Sequence, residues 1–92
     1  FTAIAIAQLI EQGKISLEDT LDKVLPNYPD REAAKRIKIW HLLSHQSGLG
    51  NFFNDEYKRS PERYVRPADY FPLFAGKPLF FEPGTNWTYS NA

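Results

Sequence analysis

Near the carboxyl end of the 92-residue sequence, Tyr89 and Asn91 stand two apart, shortly after the tetrapeptide Glu82-Pro83-Gly84-Thr85. That spacing predicts a phenol and a carboxamide held close together on a tight loop. A phenol with a reference pKa of about 10 accepts a proton near neutrality only where a cation stabilises its anion; otherwise it relays a proton while staying neutral. No such cation stands beside Tyr89 in the sequence. On local sequence alone the better account has the Tyr89 hydroxyl capping a backbone group and Asn91 forming a turn.

His41 and His45 fall four apart, so on a helix both imidazoles share one face and could share a metal ion. No Glu sits between them in the metalloprotease pattern and no third ligand is evident, so packed or N–H-bonded histidines steadying the Ser44-to-Gly48 turn are the better account. Ser44 and Ser47 beside His45 suggest a serine–histidine pair. Sequence neighbours point in different directions, however, and a nucleophile needs a base that is itself oriented, so capping is the default role for these hydroxyls. Asn86-Trp87-Thr88 matches the glycosylation acceptor, a pattern too short to carry weight. The basic residues Lys58, Arg59, Arg63 and Arg66 are interrupted by Glu62 and read as a solvated loop.

The elements that must position these groups begin with Phe1 to Gln12, rich in Ala, Leu, Gln and Glu, where a helix over about 1–12 is predicted with Gly13 as its left-handed stop. Ala3 to Ala7 are apolar without a break, as in a helix covered on several sides. Ser16 ahead of Leu17-Glu18-Asp19 predicts an N-capped helix from Leu17 to about Leu25, ended by Pro26 and Pro29. Glu32 to Arg36 adds one helical turn. Ile37-Lys38-Ile39 alternates as a very short extended piece, and Trp40 to His45 reads as a helical segment closed by Gly48. From Gly50 to Pro67 no period persists, which predicts a long surface excursion. Pro67 to Ala75 reads as a helix weakened by Pro72, and Pro83-Gly84 as the central pair of a type II turn.

Composition narrows the function. Eleven basic residues against eleven acidic ones leave no net charge to draw nucleic acid or an anionic membrane. The absence of cysteine excludes a disulfide framework, a thiolate nucleophile and cysteine metal sites. The apolar stretch from Phe1 to Ile10 is far short of the roughly 20 residues that span a bilayer, and no membrane segment is expected. Opening in helix-like sequence and stopping at Asn91-Ala92, residues 1–92 are expected to form a single partial domain cut at both ends from a longer protein.

The ordered set Phe1-Thr2-Ala3, Gln12-Gly13-Lys14-Ile15-Ser16-Leu17-Glu18-Asp19, the block Ile37 to Leu49 containing His41-Leu42-Leu43-Ser44-His45-Gln46-Ser47-Gly48, and Pro83-Gly84 followed by Tyr89-Ser90-Asn91 closely resembles the serine β-lactamase-related family. That family joins class C β-lactamases, D-alanyl-D-alanine carboxypeptidases and esterase-like proteins. The resemblance runs over essentially the whole chain. It implies a mainly α fragment, the helical lobe of the two-lobed α/β β-lactamase/transpeptidase-like fold, with little or no sheet and the first helix the most buried element.

The family's machinery combines a Ser-x-x-Lys nucleophile, a Tyr-x-Asn, and a downstream Lys-Thr-Gly or His-x-Gly. Only the middle motif matches here. By resemblance Tyr89 assists proton movement and Asn91 bonds the lysine and the substrate's acyl side chain, while the nucleophilic serine and the lysine are expected just upstream of Phe1. That lysine is the cation which the local reading of Tyr89 lacked. His45 and Gly48 match a block expected to form a buried turn beneath the site, with Gln46 departing from a common threonine.

The resemblance therefore implies a serine hydrolase acting by acyl transfer on a small-molecule or peptide substrate (a β-lactam, a D-Ala-D-Ala peptide or an ester), with no metal or organic cofactor. The isolated chain is expected to be inactive and prone to self-association. A bacterial periplasmic, cell-envelope or secreted location is suggested by family only. The alternative is a non-catalytic binding module holding a partner on a Phe-rich surface of Phe52, Phe53, Phe71, Phe74, Phe80 and Phe81.

Overall fold

A computed structural model describes residues 1–92 as six short α-helices, two single 3₁₀ turns and no strand beyond one isolated bridge. Helix α1 spans Thr2–Glu11, and its end follows the sequence: Gly13 N–H donates to the Ile10 carbonyl at 3.0 Å and Lys14 N–H to the Leu9 carbonyl at 3.0 Å. This paired closure satisfies two carbonyls that would otherwise face water unpaired.

The next helix, α2, covers only Leu21–Val24, four residues later than the capping pattern of Ser16 predicts. Ser16 and Asp19 cap each other instead: Ser16 N–H donates to the Asp19 carboxylate at 2.9 Å and Asp19 N–H to the Ser16 carbonyl at 3.0 Å. The chain must then extend through Thr20, because Thr20 pairs antiparallel with Lys38. Leu21 N–H donates to the Ile37 carbonyl at 2.7 Å and Ile39 N–H to the Asp19 carbonyl at 3.0 Å. The expected extended piece is thus present at Ile37 and Lys38 only, since Ile39 already opens the next helix, and its partner consumes the residues that would have opened a longer α2.

Helix α3, Arg31–Arg36, is capped by the Asp30 side chain, which accepts from Ala33 N–H at 3.2 Å. Its Ala33 and Ala34 face a core with Leu21, Tyr28, Ile37, Leu49, Leu73 and Phe74. Helix α4, Ile39–Leu43, follows directly. The residue that turns the chain left-handed after it is His45, with φ of 58°, three residues before the Gly48 expected to do so. Gly48 takes φ of 82° as well, and a β-carbon there would run into the Phe81 carbonyl, so only glycine fits.

The stretch from Gly50 to Pro67 is less irregular than its sequence. It contains α5, Asp55–Arg59, whose first turn is capped by Asn54 accepting from Tyr57 N–H at 3.1 Å, and a 3₁₀ turn at Pro61–Arg63. Rather than a free excursion, it is bound down by aromatic rings. Phe52 meets Tyr57 at 5.3 Å and Tyr70 at 4.8 Å between centroids, and Tyr57 meets Tyr64 at 5.4 Å. No hydrophobic periodicity announces such a cluster, because its members lie on irregular backbone. The helix predicted over Pro67 to Ala75 is split into a 3₁₀ turn, Pro67–Tyr70, and α6, Phe71–Phe74.

Two expectations about surfaces change. Helix α1 has no buried residue, and Phe1 and Ile4 are fully and about 62% exposed, so within this chain it is not the most buried element. The core instead gathers around Tyr28, Ile37 and Leu73. Nor do the phenylalanines form one outward patch: Phe74 is buried, Phe52, Phe71 and Phe81 are half-buried, and only Phe53 and Phe80 of the six stand exposed. No helix is long and apolar enough to cross a membrane.

Candidate active site

The turn that introduces the site forms as the sequence predicts. Thr85 N–H donates to the Glu82 carbonyl at 3.1 Å, and Gly84 has φ of 85°, the value a type II turn needs at its third position. Gly84 also lies against α4, where a β-carbon would come 3.0 Å from His41 Nε2. Arg36 reaches from α3 to the Glu82 carboxylate at 2.8 Å, tying the other end of the turn.

Before, within and beyond this turn the chain is laced onto the segment His45 to Gly50. Phe80 N–H donates to the Gly48 carbonyl at 2.8 Å, Gly84 N–H to the Gln46 carbonyl at 2.9 Å, and Thr88 N–H to the His45 carbonyl at 2.9 Å. The half-buried Ser90 hydroxyl donates to the Gly50 carbonyl at 3.1 Å and accepts from Ala92 N–H at 2.9 Å. These bonds set which way the last residues face. With Ser90 turned in, Tyr89 and Asn91 project to the opposite, exposed side.

There the two side chains meet: Tyr89 O–H donates to Asn91 Oδ1 at 3.1 Å. Asn91 Nδ2 in turn donates to Asn51 Oδ1 at 3.4 Å, and Asn51 Oδ1 also accepts from Phe53 N–H at 3.2 Å. The arrangement is an irregular arm pinned at Gly84, Thr88 and Ser90 rather than the tight loop that their spacing predicts. Asn51 is a member that sequence reasoning passed over, since nothing local links it to a residue forty positions away.

His45 contacts the arm twice. Its ring packs on the Tyr89 ring with centroids 4.6 Å apart and planes tilted by 39°, and its Nδ1 accepts from Ser90 N–H at 3.4 Å. His41 is occupied elsewhere. Its Nδ1 accepts from the Lys38 N–H at 2.9 Å, closing the amino end of α4, and its ring lies 4.1 Å from that of Trp40. Burial first, and then the Lys38 charge, hold the His41 imidazole below its ordinary pKa, partly offset by Glu18. The left-handed turn at His45 takes that residue off the helix, and each imidazole has its own partners.

Ser47 is buried and its Oγ accepts from Leu49 N–H at 3.2 Å, a turn-forming role. Ser44 Oγ donates to the Trp40 carbonyl at 2.7 Å. Neither hydroxyl is paired with a histidine ring.

Asn91 lines a cavity of about 560 Å³. Its walls include Phe1, Ala3 and Ile6 at the start of α1 and Ile39 and Leu42 of α4. Asn91 and Ser90 at one end of the chain, His45 in the middle and the first residue at the other end therefore border one space, with Tyr89 joined to it through its hydrogen bond to Asn91. The groups on its rim can donate and accept protons and hold a cation through a carboxamide oxygen.

Comparison with known proteins agrees with this arrangement. The Beta-lactamase family profile matches residues 1–92. Acyltransferase calJ of Penicillium decumbens is 32% identical over 107 residues, covering 96% of this chain and 26% of that protein. Esterase EstB of Burkholderia gladioli is 30% identical over 103 residues, covering 98% of this chain and 26% of that protein. The crystal structure of a penicillin-binding protein from Bacillus halodurans superposes with a TM-score of 0.79 at 36% identity, covering 98% of this chain and 29% of its own. The chain thus spans about a quarter of the length of the curated relatives it matches, which include fungal as well as bacterial proteins. A helical lobe with a Tyr-x-Asn arm laced over a His-x-Ser-Gly turn, and a family match running from the first residue to the last, place this chain in the β-lactamase family of serine hydrolases.

Proposed function

We propose that residues 1–92 form the proton-handling wall of a serine acyl-transfer site, with Tyr89 as the proton relay and Asn91 as the group that holds a lysine ammonium and the substrate's acyl amide. The observation that carries this reading is the cavity bordered by both Phe1 and Asn91, beside which the Tyr89 hydroxyl is already hydrogen-bonded to Asn91 at 3.1 Å. A Ser-x-x-Lys segment immediately ahead of Phe1 would enter that cavity from the α1 side. The serine would attack a carbonyl, forming an ester as the leaving group takes the proton passed through lysine and Tyr89. Water would then cleave the ester and regenerate the serine. A β-lactam, a D-Ala-D-Ala peptide or a simple ester would each serve as acyl donor. Names such as acyltransferase, esterase and penicillin-binding protein among the relatives support acyl transfer as the shared step.

The test is the rate at which the full-length protein carrying this chain is labelled by a fluorescent penicillin or a fluorophosphonate. Tyr89→Phe, which keeps the ring and removes the proton, should slow acylation by about a hundredfold, the usual contribution of a positioned acid–base group. A labelling rate unchanged in Tyr89→Phe overturns the assignment.

The 92-residue chain by itself holds neither the nucleophile nor an oxyanion hole in this reading, so it should not turn over nitrocefin. Its exposed α1 face, with Ile4 about 62% exposed, should drive self-association that Ile4→Glu suppresses in sedimentation. A monomer before the substitution would remove that expectation.

A further inference from the structure

His45 has a conformation that costs energy and a pair of contacts that account for it. It is the one residue other than glycine with a positive φ, at 58°. A side chain persists there only when its surroundings over-determine it, and such strain concentrates where a group must be aimed. Glycine and asparagine occupy this region at less cost, and histidine is among the side chains that tolerate it, so the turn alone does not account for the contacts the ring makes.

What the imidazole does is reach across forty-four residues to the functional arm. Its face covers the Tyr89 ring at 4.6 Å between centroids, within the range of favourable aromatic pairs, while its Nδ1 takes the N–H of Ser90 at 3.4 Å. Its own carbonyl accepts from Thr88 N–H at 2.9 Å. One residue thus contacts three consecutive positions, 88, 89 and 90. Tyr89 needs such a support, because its side chain is about 62% exposed and its hydroxyl has a single partner, Asn91. Free rotation about its first side-chain bond would swing the hydroxyl away from Asn91.

We infer that His45 is a positioning residue for Tyr89: its ring face selects the tyrosine rotamer that aims the hydroxyl at Asn91, and its Nδ1 fixes the backbone from which that rotamer departs. The inference rests on the acyl-transfer reading of Tyr89 and adds to it a residue that touches no reacting atom. His45 acts as a surface and an acceptor, with no proton transferred to or from it.

The experiment is a double-mutant cycle in the full-length protein. Acylation by the fluorescent penicillin is measured for wild type, His45→Asn, Tyr89→Phe and the pair, each rate normalised to the titrated fraction of acylatable sites and set beside the Tm. His45→Asn suits the left-handed backbone and keeps an acceptor but removes the ring. We expect the acylation rate per site to fall about tenfold with little change in Tm, as a misdirected catalytic group gives. In the Tyr89→Phe background the same substitution should cost less than about twofold, because there is no hydroxyl left to aim. If His45→Asn folds poorly, His45→Gly serves, since it relieves the strain and removes ring and acceptor together.

A wild-type rate in His45→Asn or His45→Gly overturns the inference. So does a loss of the same size with and without the Tyr89 hydroxyl, which would make His45 a general support. Tyr89→Phe at full activity overturns the acyl-transfer reading and this inference with it, whereas an impaired Tyr89→Phe beside an unimpaired His45→Asn overturns this inference alone.

Discussion

At the scale of single residues, the candidate site depends on which side of the arm each side chain takes. Ser90 decides this for its neighbours, since its hydroxyl holds the Gly50 carbonyl at 3.1 Å and the Ala92 N–H at 2.9 Å. Ser90→Ala should cost about 1 kcal/mol, the net worth of a part-buried hydrogen bond, and should lower the acylation rate by loosening Tyr89 and Asn91 together. Chemical denaturation and labelling kinetics on one sample check both outcomes; a loss of stability with no loss of rate would make Ser90 a fastener only. The sequence made Tyr89 and Asn91 legible as a motif but not as chemistry, because the cation that a phenolate needs is not nearby in the chain. Their supports were not legible at all. Asn51 and His45 lie forty or more positions away, and only the folded path of residues 80 to 90 brings them to the arm.

Elements show where local rules hold and where tertiary pairing overrides them. The end of α1 at Gly13 is written in the sequence because the closing bonds are local; the start of α2 is not, because Thr20 is drawn into pairing with Lys38. The helix stop at Gly48 is misplaced for a related reason, as His45 turns first in order to reach the arm. Gly48 matters for a different purpose, since a β-carbon there meets the Phe81 carbonyl while Phe80 N–H holds the Gly48 carbonyl. Gly48→Ala should therefore cost more than about 2 kcal/mol, combining strain at positive φ with displacement of the arm, and should lower the Tm accordingly. Helix α4 should also be sensitive to acid. The folded state holds His41 below its ordinary pKa of 6.5, so the unfolded chain binds the proton first as pH falls. The stability from the neutral imidazole is present above about pH 6.5 and is lost as pH drops through the lower folded value. Melting curves should show a decline below that point which is weaker in His41→Asn, and a decline of equal size in that variant would refute the link.

On the scale of the whole molecule, the chain divides into a packed side and an open side. Tyr28, Ile37 and Leu73 lie within the core between α2, α3 and α6, while α1 buries no residue fully and leaves Ile4 exposed. Composition shows that enough apolar surface exists for a core, but not which helix receives it, since an all-apolar helix reads as buried whether or not its neighbours are in the same 92 residues. Tyr28 sets the behaviour of the packed side. Its ring meets Phe71 edge-on at 5.2 Å, yet its buried hydroxyl has no hydrogen-bond partner, a group that costs free energy when taken from water. Tyr28→Phe removes that hydroxyl and keeps the ring, so the Tm should hold or rise, against the fall that most core substitutions give. Burial, with a smaller push from the Asp30 charge, raises the Tyr28 phenol from 10.0 to about 12. In the window between these values the unfolded chain releases its proton while the folded chain keeps it, so stability declines as pH rises from 10 to about 12. The decline attributable to this residue is at most on the order of 2 kcal/mol. Denaturant midpoints across that window should fall more steeply for wild type than for Tyr28→Phe, and parallel curves would place the alkaline sensitivity elsewhere.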